Sequence, residues 1–149
     1  MHIREILSLE AVLPPTRLKS KKKLLHILAK KAAQFFPLSA EEILDEIIER
    51  EKMGPTSLGN GMAIPRIKLI PCKKPLGIFI KLKEPIAFDH FDQEMVDLAF
   101  FLIAPKKHNT VQSEALTHLL RNLSDKEKID KIRRAETKEE IYHILIEEF

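Results

Sequence analysis

The chain carries one nearly continuous apolar segment, and this segment constrains the fold more than any other feature. Residues 95–103 read Met-Val-Asp-Leu-Ala-Phe-Phe-Leu-Ile and contain a single charged side chain, Asp97. Such a run is typical of a β-strand that is buried on both faces. Residues 76–82 indicate a second strand, and residues 89–93 between the two segments, which are polar except for Phe91, indicate a turn. We therefore predict a strand region in the middle of the chain.

Helical patterns lie on both sides of this strand region. Apolar residues recur at helical spacing after Ser20, a candidate N-cap, and again over residues 111–123. Three further helix starts are predicted by capping boxes, in which a serine or threonine precedes a glutamate by three residues. The boxes are Ser39 with Glu42, Ser124 with Glu127, and Thr137 with Glu140. Strands between helices, in a chain of 149 residues, predict one layered α/β domain.

The composition excludes several classes of protein. The 25 basic and 22 acidic residues give a net charge of only +3, and basic residues are not interleaved with aromatic ones, so we expect no nucleic-acid partner. No apolar run reaches the roughly 18 residues of a membrane span. The N-terminal residues lack the apolar block of a signal peptide. We therefore expect a cytoplasmic protein with no membrane span.

Cys72 is the only cysteine of the chain, which excludes an intrachain disulfide and a cysteine-rich zinc site. The adjacent Lys73 is able to lower the pKa of the thiol and make it reactive. An incidental cysteine on the surface is the simpler interpretation, and we prefer it.

A glycine-rich loop precedes the strand region. Residues 53–66 contain three of the four glycines of the chain, two of them in the sequence Gly59-Asn60-Gly61. This sequence permits positive φ, and successive exposed N–H groups in such a loop can bind an anion, although most such sequences are simple turns. The loop is not a P-loop, because no Gly-Lys-Ser/Thr follows it. It is not a dinucleotide-binding loop, because a helix precedes it and strands follow it.

The longer segment of residues 50–69 is more specific than its glycines. It resembles the active-site segment of the enzyme IIA domains of the phosphoenolpyruvate-dependent sugar phosphotransferase system, in the fructose/mannitol class and its nitrogen-regulatory branch. The family segment reads roughly arginine-glutamate, glycine-serine-threonine, then Gly-x-Gly-x-Ala-Ile-Pro-His. Residues 20–22, 84–89 and 96–98 fit the same family, and the resemblance covers nearly the whole chain. It implies one IIA-like domain over residues 1–149, with a mixed β-sheet flanked by helices on both faces.

The chain departs from the family pattern at one decisive residue. In the family, the histidine that follows Ile-Pro accepts a phosphoryl group from the phosphocarrier HPr, and Arg66 stands at that position here. A second family histidine aligns with Gln112. A guanidinium group stays protonated and has no acceptor lone pair, so it can bind phosphate but cannot accept the phosphoryl group as histidine does. We therefore expect no phosphoryl transfer to this position and no catalytic residue.

The expected site is one that binds an anion or a partner protein. Its predicted residues are Arg50, Thr56, Gly59, Asn60, Gly61, Arg66 and Gln112. Arg50 matches a family arginine near the phosphohistidine, but a cation that satisfies carbonyls at a helix end is an equal alternative. Residues 65–83 include six basic and no acidic side chains, which indicates either a solvated rim or a docking surface for an acidic partner. We interpret another basic run, Lys21-Lys22-Lys23, as a solvated face rather than a contact patch.

Three functional hypotheses follow. The leading one is a non-catalytic regulatory protein of the nitrogen-regulatory branch, which binds an HPr-like phosphocarrier or regulated target proteins and needs no cofactor or metal. The second is an active phosphocarrier that uses His90, His108 or His118 instead. The third is a binding module for an anion or a phosphorylated metabolite. Weak self-association is compatible with each.

The remaining histidine signals are weak. His90 lies in the predicted turn with Asp89 and Asp92, a cluster that can orient a base or bind a metal but is more often structural. We expect His26 to be a partly buried core residue and His143 to be an ordinary helix residue. No histidine spacing matches a zinc motif.

Overall fold

A mixed β-sheet forms the centre of the molecule. The structure, a computed structural model, describes residues 2–89, 94–108 and 110–147. Within these ranges the sheet has five strands: β1 Ser57–Gly59, β2 Met62–Ala63, β3 Arg66–Leu69, β4 Leu76–Asp89 and β5 Glu94–Pro105. The helices are α1 Ile3–Ile6, α2 Lys21–Ala32, α3 Ala40–Lys52, α4 Val111–Leu123, α5 Lys126–Arg134 and α6 Lys138–Ile146, and a short 3-10 helix spans Leu9–Ala11. In this described part of the chain, no helix is long and apolar enough to cross a membrane.

Strand β5 pairs along both of its edges. On one edge it pairs antiparallel with β4. The other edge holds two short strands that run parallel to β5: first β2, with Met62 opposite Leu98, and then β3, with Arg66 opposite Leu102. Strand β1 extends the sheet by pairing antiparallel with β2. Arg66 therefore begins a paired strand rather than lying in a free loop.

The strand predicted at residues 95–103 is confirmed. Every side chain from Leu98 to Ala104 is at most 1% exposed, and each large apolar group buried in this way stabilises the fold by roughly 1.5–3 kcal/mol. Helix α2 packs on β4, α3 on β3 and α4 on β5, so that helices cover the sheet on both faces. The predicted α/β domain with a mixed sheet flanked by helices is therefore confirmed.

Strand β4 is longer than predicted. It continues beyond residues 76–82 as far as Asp89. Residues 83–85 are exposed, and the pairing register with β5 shifts between Lys81 and Ile86. Proline has no N–H to donate, so the proline in this stretch is tolerated where the ladder is interrupted. Because these exposed residues interrupt the apolar pattern of a strand, the sequence did not predict the second half of β4.

Two of the three predicted capping boxes begin helices. Ser39 Oγ accepts a hydrogen bond from Glu42 N at 3.0 Å, and Glu42 Oε1 accepts one from Ser39 N at 3.3 Å. Thr137 Oγ1 accepts from Glu140 N at 3.2 Å and begins α6. Ser20 caps α2 through its side-chain oxygen, as predicted.

The predicted capping box of Ser124 and Glu127 is wrong. Asp125 is the N-cap of α5, because its Oδ1 accepts hydrogen bonds from Glu127 N at 3.0 Å and Lys128 N at 3.3 Å. Ser124 Oγ instead donates to the carbonyl oxygen of Arg121 at 2.8 Å. A carboxylate at the N-cap also interacts favourably with the helix dipole. The sequence pattern alone does not distinguish these two adjacent candidates.

Two predictions of exposure are also wrong. Cys72 is only 4% exposed, and its Sγ donates to the carbonyl oxygen of Lys74 at 3.0 Å. Burial raises the pKa of this thiol to about 11, which outweighs the opposite effect of the hydrogen bond. His26 is exposed on α2, because it lies beyond the buried face of that helix, whereas His143 is an exposed helix residue as expected.

Candidate functional site

Arg50, Arg66 and Gln112 line one open cleft of about 480 Å³, which we call the Arg66 cleft. Arg50 comes from the last turn of α3, Arg66 begins β3, and Gln112 lies in the first turn of α4. The cleft is also lined by Glu46, Glu49, Met53, Ile67, Lys68 and Lys106. Basic side chains therefore outnumber acidic ones around it.

The two guanidinium groups of the cleft keep most of their donors available. Arg66 Nη1 donates to the carbonyl oxygen of Ile64 at 3.3 Å, and Arg50 Nη1 donates to that of Gly54 at 3.0 Å. Among the residues that the structure describes, neither group makes a further hydrogen bond or an ion pair. Arg50 thus satisfies a carbonyl just beyond the end of α3 and also lines the cleft, and its role in binding an anion stays a prediction.

The partly buried side chain of Arg66 carries its positive charge close to that of Arg50. Burial lowers the pKa of Arg66 below its ordinary value, the positive charge of Arg50 lowers it further, and Glu51 opposes both effects. Arginine titrates so far above neutrality that the group remains a cation near pH 7. The repulsion between the two arginines is of the kind that a bound anion relieves.

Gln112 ties α4 to the strand that carries Arg66. Its Nε2 donates to the carbonyl oxygen of Ile67 at 2.9 Å, and the side chain is partly buried. The amide adds a polar group to the cleft without adding charge.

A partly buried ion pair holds the chain that leads to β3. Glu51, whose side chain is 7% exposed, lies 2.8 Å from Lys21 Nζ. Thr56 donates to the same carboxylate through its hydroxyl at 2.6 Å and its N–H at 3.3 Å. Lys21 Nζ also lies 4.1 Å from the centroid of the Phe88 ring, and the carbonyl oxygen of Thr56 accepts from Ile64 N at 3.0 Å. This cluster joins α2, α3 and β4 to the segment just before β3.

Two sequence interpretations change at this cluster. Thr56 is only 2% exposed and does not line the cleft, so it positions the segment before β3 instead. The interpretation of Lys21 as part of a solvated face is wrong, because the side chain pairs with Glu51. Lys22 and Lys23 are exposed as expected.

The Gly59-Asn60-Gly61 turn lies outside the Arg66 cleft. Its three residues have positive φ, as predicted, with values of 89°, 56° and 81°. Arg133 of α5 donates to the carbonyl oxygen of Asn60 and pairs with Asp97 at 2.9 Å. A Cβ at Gly61 would lie 2.5 Å from Arg133 Nη2 and 2.6 Å from Asp97 Oδ1. Glycine is favoured at position 61 by its positive φ, and a Cβ there would displace the ends of the Arg133 and Asp97 side chains.

The turn faces a second groove of about 480 Å³, lined in part by Asn60, Leu58 and Leu120. The predicted seven-residue site thus divides into the Arg66 cleft, the supporting cluster of Thr56 and the glycine turn. Anion binding by the N–H groups of the turn stays a prediction.

The alternative histidines do not line the Arg66 cleft where the structure describes them. His108 is exposed just before α4. His118 lies on α4, with its Nε2 3.3 Å from Asn122 Nδ2. His90 and most of the predicted turn at residues 89–93 lie outside the described residues.

Several residues of the site were not singled out by the sequence. Glu46 and Glu49 lie on the same face of α3 as Arg50, and helical spacing is a signal that would have found them. Lys106 and Arg133 carry no such signal, because only the folded chain brings them to the cleft and to the glycine turn.

Residues 5–148 match the family model described as "Phosphoenolpyruvate-dependent sugar phosphotransferase system, EIIA 2". The chain belongs to this family. The match spans every strand and almost every helix described above, so the EIIA type-2 fold accounts for the molecule as a whole.

Relatives of this EIIA type-2 protein include nitrogen regulatory proteins. That of Bradyrhizobium diazoefficiens is 36% identical over 145 residues, which cover 97% of this chain and 95% of the relative. The crystal structure of nitrogen regulatory protein IIA-Ntr from Neisseria meningitidis has a TM-score of 0.88 at 31% identity, and the match covers 96% of this chain and 98% of that one. The predicted family and its nitrogen-regulatory branch are therefore confirmed.

A more distant structure shares the EIIA type-2 fold alone. It is the complex of enzyme IIA mannitol and phosphorylated enzyme IIB mannitol from Escherichia coli, with a TM-score of 0.76 at 18% identity. The match covers 94% of this chain and 98% of that one.

Proposed function

We propose that this EIIA type-2 protein is a non-catalytic regulator that binds protein partners through the Arg66 cleft and accepts no phosphoryl group at Arg66. Its nitrogen regulatory relatives support the regulatory role. The observation that carries the proposal is the guanidinium of Arg66, which has most of its donors available in a cleft with excess positive charge.

The chemistry of position 66 supports the absence of transfer. In this proposal Arg66 stands where the family accepts the phosphoryl group on histidine, and acceptance requires a nitrogen lone pair that attacks phosphorus. The guanidinium of Arg66 offers only N–H donors. Because a phosphohistidine is negative and Arg66 is positive, the surface stays nearer to the unphosphorylated state of its relatives. The protein would then have one signalling state where relatives have two.

Two features of the cleft suit a protein partner. Met53, 82% exposed, lines the cleft, and methionine and arginine are both enriched in protein interfaces. The excess of basic groups favours an acidic partner surface. Enzyme IIA mannitol of Escherichia coli has been solved in complex with a protein partner. We extend such binding to this chain, with an HPr-like phosphocarrier or a regulated target in the cytoplasm as the partner.

Incubation with radiolabelled phospho-HPr tests whether this protein accepts a phosphoryl group. We expect no acid-labile label on this protein while labelled HPr in the same reaction shows that the donor is intact. Label on the wild-type protein would overturn this half of the proposal. Replacing His90, His108 and His118 one at a time would then locate the acceptor.

Partner capture tests the role of the cleft. We expect Arg66→Glu to lose partners that the wild type retains, because the substitution reverses the charge at the centre of the cleft. Arg134→Glu makes the same charge change on the exposed surface of α5 and serves as the matched control. Identical partner sets for wild type and Arg66→Glu would count against the cleft as the binding site.

A second candidate function is a binding module for a small anion. The available donors of Arg50 and Arg66 favour it. Calorimetric titration with inorganic phosphate and with sugar phosphates distinguishes it from partner binding. An active phosphocarrier that uses His108 or His118 has no comparable support, because neither residue lines the cleft, and the same alternative with His90 falls outside the described residues.

A further inference from the structure

The basic residues of the segment 65–83 do not form one surface. Arg66 and Lys68 line the Arg66 cleft, and Lys81 donates to the end of α5. Lys73 and Lys74 instead line a separate groove of about 460 Å³, which lies between helix α1, the residues after α2 and the turn from β3 to β4. We call it the Phe36 groove. The groove and the cleft share none of the described residues that line them.

We infer that the Phe36 groove binds an acidic segment of a protein partner, and that this segment inserts a large apolar side chain between the basic groups. This second docking surface is separate from the Arg66 cleft and does not depend on the function proposed for Arg66. Three observations lead to it: the apolar lining, the balance of charge and the fixed turn that carries the two lysines.

The apolar lining of the groove comes from three separate segments. Phe35 and Phe36 follow the end of α2, Pro71 and Pro75 lie in the turn between β3 and β4, and Leu76 begins β4. All five side chains are partly buried, so each leaves apolar surface in contact with water inside the groove. Covering such surface favours association, and a concave apolar lining suits a side chain that inserts from a partner.

The charges around this lining favour an acidic partner. Arg4 of α1, Lys73 and Lys74 are exposed and line the groove, where Glu5 is the one acidic residue among the described lining residues. In the described parts of the chain these three cations make no ion pair. Glu5 belongs to the capping box of α1, and its Oε2 accepts from His2 N at 3.3 Å. The groove therefore has an excess of two positive charges, which complements aspartate and glutamate side chains of a partner.

The turn that carries Lys73 and Lys74 is fixed to the protein. Cys72 N donates to the carbonyl oxygen of Leu69 at 3.3 Å, and Cys72 Sγ donates to that of Lys74 at 3.0 Å. Pro71 and Pro75, whose rings fix φ, lie on either side of this contact. A turn that is ordered before binding loses little conformational freedom on binding, which favours affinity.

The shape of the groove favours a protein segment over a small molecule or a membrane. Sites for small molecules usually enclose most of their ligand, and this groove is open. A membrane surface is flat and best receives apolar side chains that protrude, whereas Phe35, Phe36 and Leu76 are partly buried. An extended peptide can place one side chain in the groove and its neighbouring carboxylates beside Arg4, Lys73 and Lys74.

Retention of degenerate peptides on the immobilised protein tests the inference. One pool has a fixed central phenylalanine and flanking positions enriched in aspartate and glutamate. Two matched pools carry either serine in place of the phenylalanine or asparagine and glutamine in place of the acidic residues. We expect the first pool to be retained about tenfold more than either matched pool at low ionic strength, and less so as salt screens the charges. Equal retention of the three pools would overturn the inference.

A pair of lysines elsewhere provides the matched control. Lys73→Glu/Lys74→Glu should reduce retention of the acidic phenylalanine pool about tenfold or more, because it reverses two charges of the groove. Lys22→Glu/Lys23→Glu makes the same change at two exposed lysines of α2 that do not line the groove, and should leave retention close to that of the wild type. Equal losses for the two double variants would mean attraction by overall charge and would contradict the inference. Thermal unfolding shows whether each variant folds.

Two further measurements separate the groove from other binding sites. Arg66→Glu should keep most of the retention. If it lost the pool while Lys73→Glu/Lys74→Glu kept it, the peptides would bind in the Arg66 cleft and the inference would fail. Vesicles rich in phosphatidylserine should not sediment the protein. Sedimentation that Lys73→Glu/Lys74→Glu abolishes would assign the groove to a membrane surface instead of a protein partner.

Discussion

Arg66 separates two properties that a histidine combines, namely affinity for a phosphoryl group and the ability to accept one. A guanidinium retains the first and lacks the second. The neighbouring Arg50 and Gln112 come from different helices, and both reach the same cleft. The proposed loss of phosphoryl acceptance therefore depends on one side chain, that of Arg66, in a cleft that otherwise suits a phosphoryl group.

The first prediction is that Arg66→His makes the protein a phosphoryl acceptor. Acid-labile label from phosphorylated HPr should rise from none toward one phosphoryl group per chain, because imidazole restores a nucleophilic nitrogen. Adding Gln112→His should speed the transfer further. Arg66→Gln, which also removes the positive charge but supplies no nucleophile, should stay unlabelled. If the double variant took no label, the cleft would not be an acceptor site.

The second prediction concerns Cys72, whose thiol has a pKa raised by burial from 9.0 to about 11. The unfolded chain loses this proton first as the pH rises, so stability from the protonated thiol is present below pH 9 and is lost toward pH 11. Urea unfolding of the wild type should show a loss of about 2–3 kcal/mol over this range. Cys72→Ala should lack that component, and a parallel pH dependence for both proteins would contradict the prediction.

Three residues of the cleft, Arg50, Arg66 and Gln112, were predicted from the sequence because they align with site residues of the family. Lys106 was not predicted, because no local pattern connects a residue after β5 with one at the start of β3. The role of Lys21 was also hidden, since an ion pair with Glu51 across two helices leaves no periodic signal.

At the scale of elements, regular sequence patterns predicted helices and strands correctly, whereas interrupted patterns did not. The apolar run of β5 and the capping box of Ser39 were recognisable because each depends on near neighbours in the chain. The second half of β4 was not, because its exposed polar residues interrupt the pairing with β5. The short strands β2 and β3 were not foreseen either, since their stability comes from pairing with β5 rather than from their own sequence.

The third prediction distinguishes the two candidate caps of α5. Asp125→Ala should destabilise the protein by about 1 kcal/mol, because it removes the acceptor of two backbone N–H groups. Ser124→Ala, one residue earlier, should change stability by less than about 0.5 kcal/mol. Urea unfolding of both variants measures the difference. A larger loss for Ser124→Ala would reassign the cap.

At the scale of the whole molecule, two basic side chains connect α5 to the sheet. Arg133 pairs with Asp97 of β5 and donates to Asn60 in the glycine turn. Lys81 of β4 donates to the carbonyl oxygens of Arg133 and Ala135 at the end of the helix. These contacts join segments far apart in sequence, which is why the sequence did not reveal them.

The fourth prediction tests this connection at the glycine turn. Gly59→Ala should cost about 1–2 kcal/mol, from positive φ alone, since nothing lies within 4 Å of the added Cβ. Gly61→Ala should cost a further 1–3 kcal/mol or so, because its Cβ collides with Arg133 and Asp97. Unfolding free energies measure both. The excess should vanish when Gly61→Ala is made in a background that carries both Arg133→Ala and Asp97→Ala, and its persistence would refute the explanation.

The location of Arg66 at the start of β3 has an evolutionary consequence. Its guanidinium lines an open cleft and, among the described residues, makes one hydrogen bond, to the carbonyl oxygen of Ile64, while the backbone of β3 pairs with β5 independently of the side chain. Descendants of one ancestor can therefore exchange this side chain and inherit the architecture unaltered. Related proteins would then differ in whether they accept a phosphoryl group at this position, through mutation of a single codon.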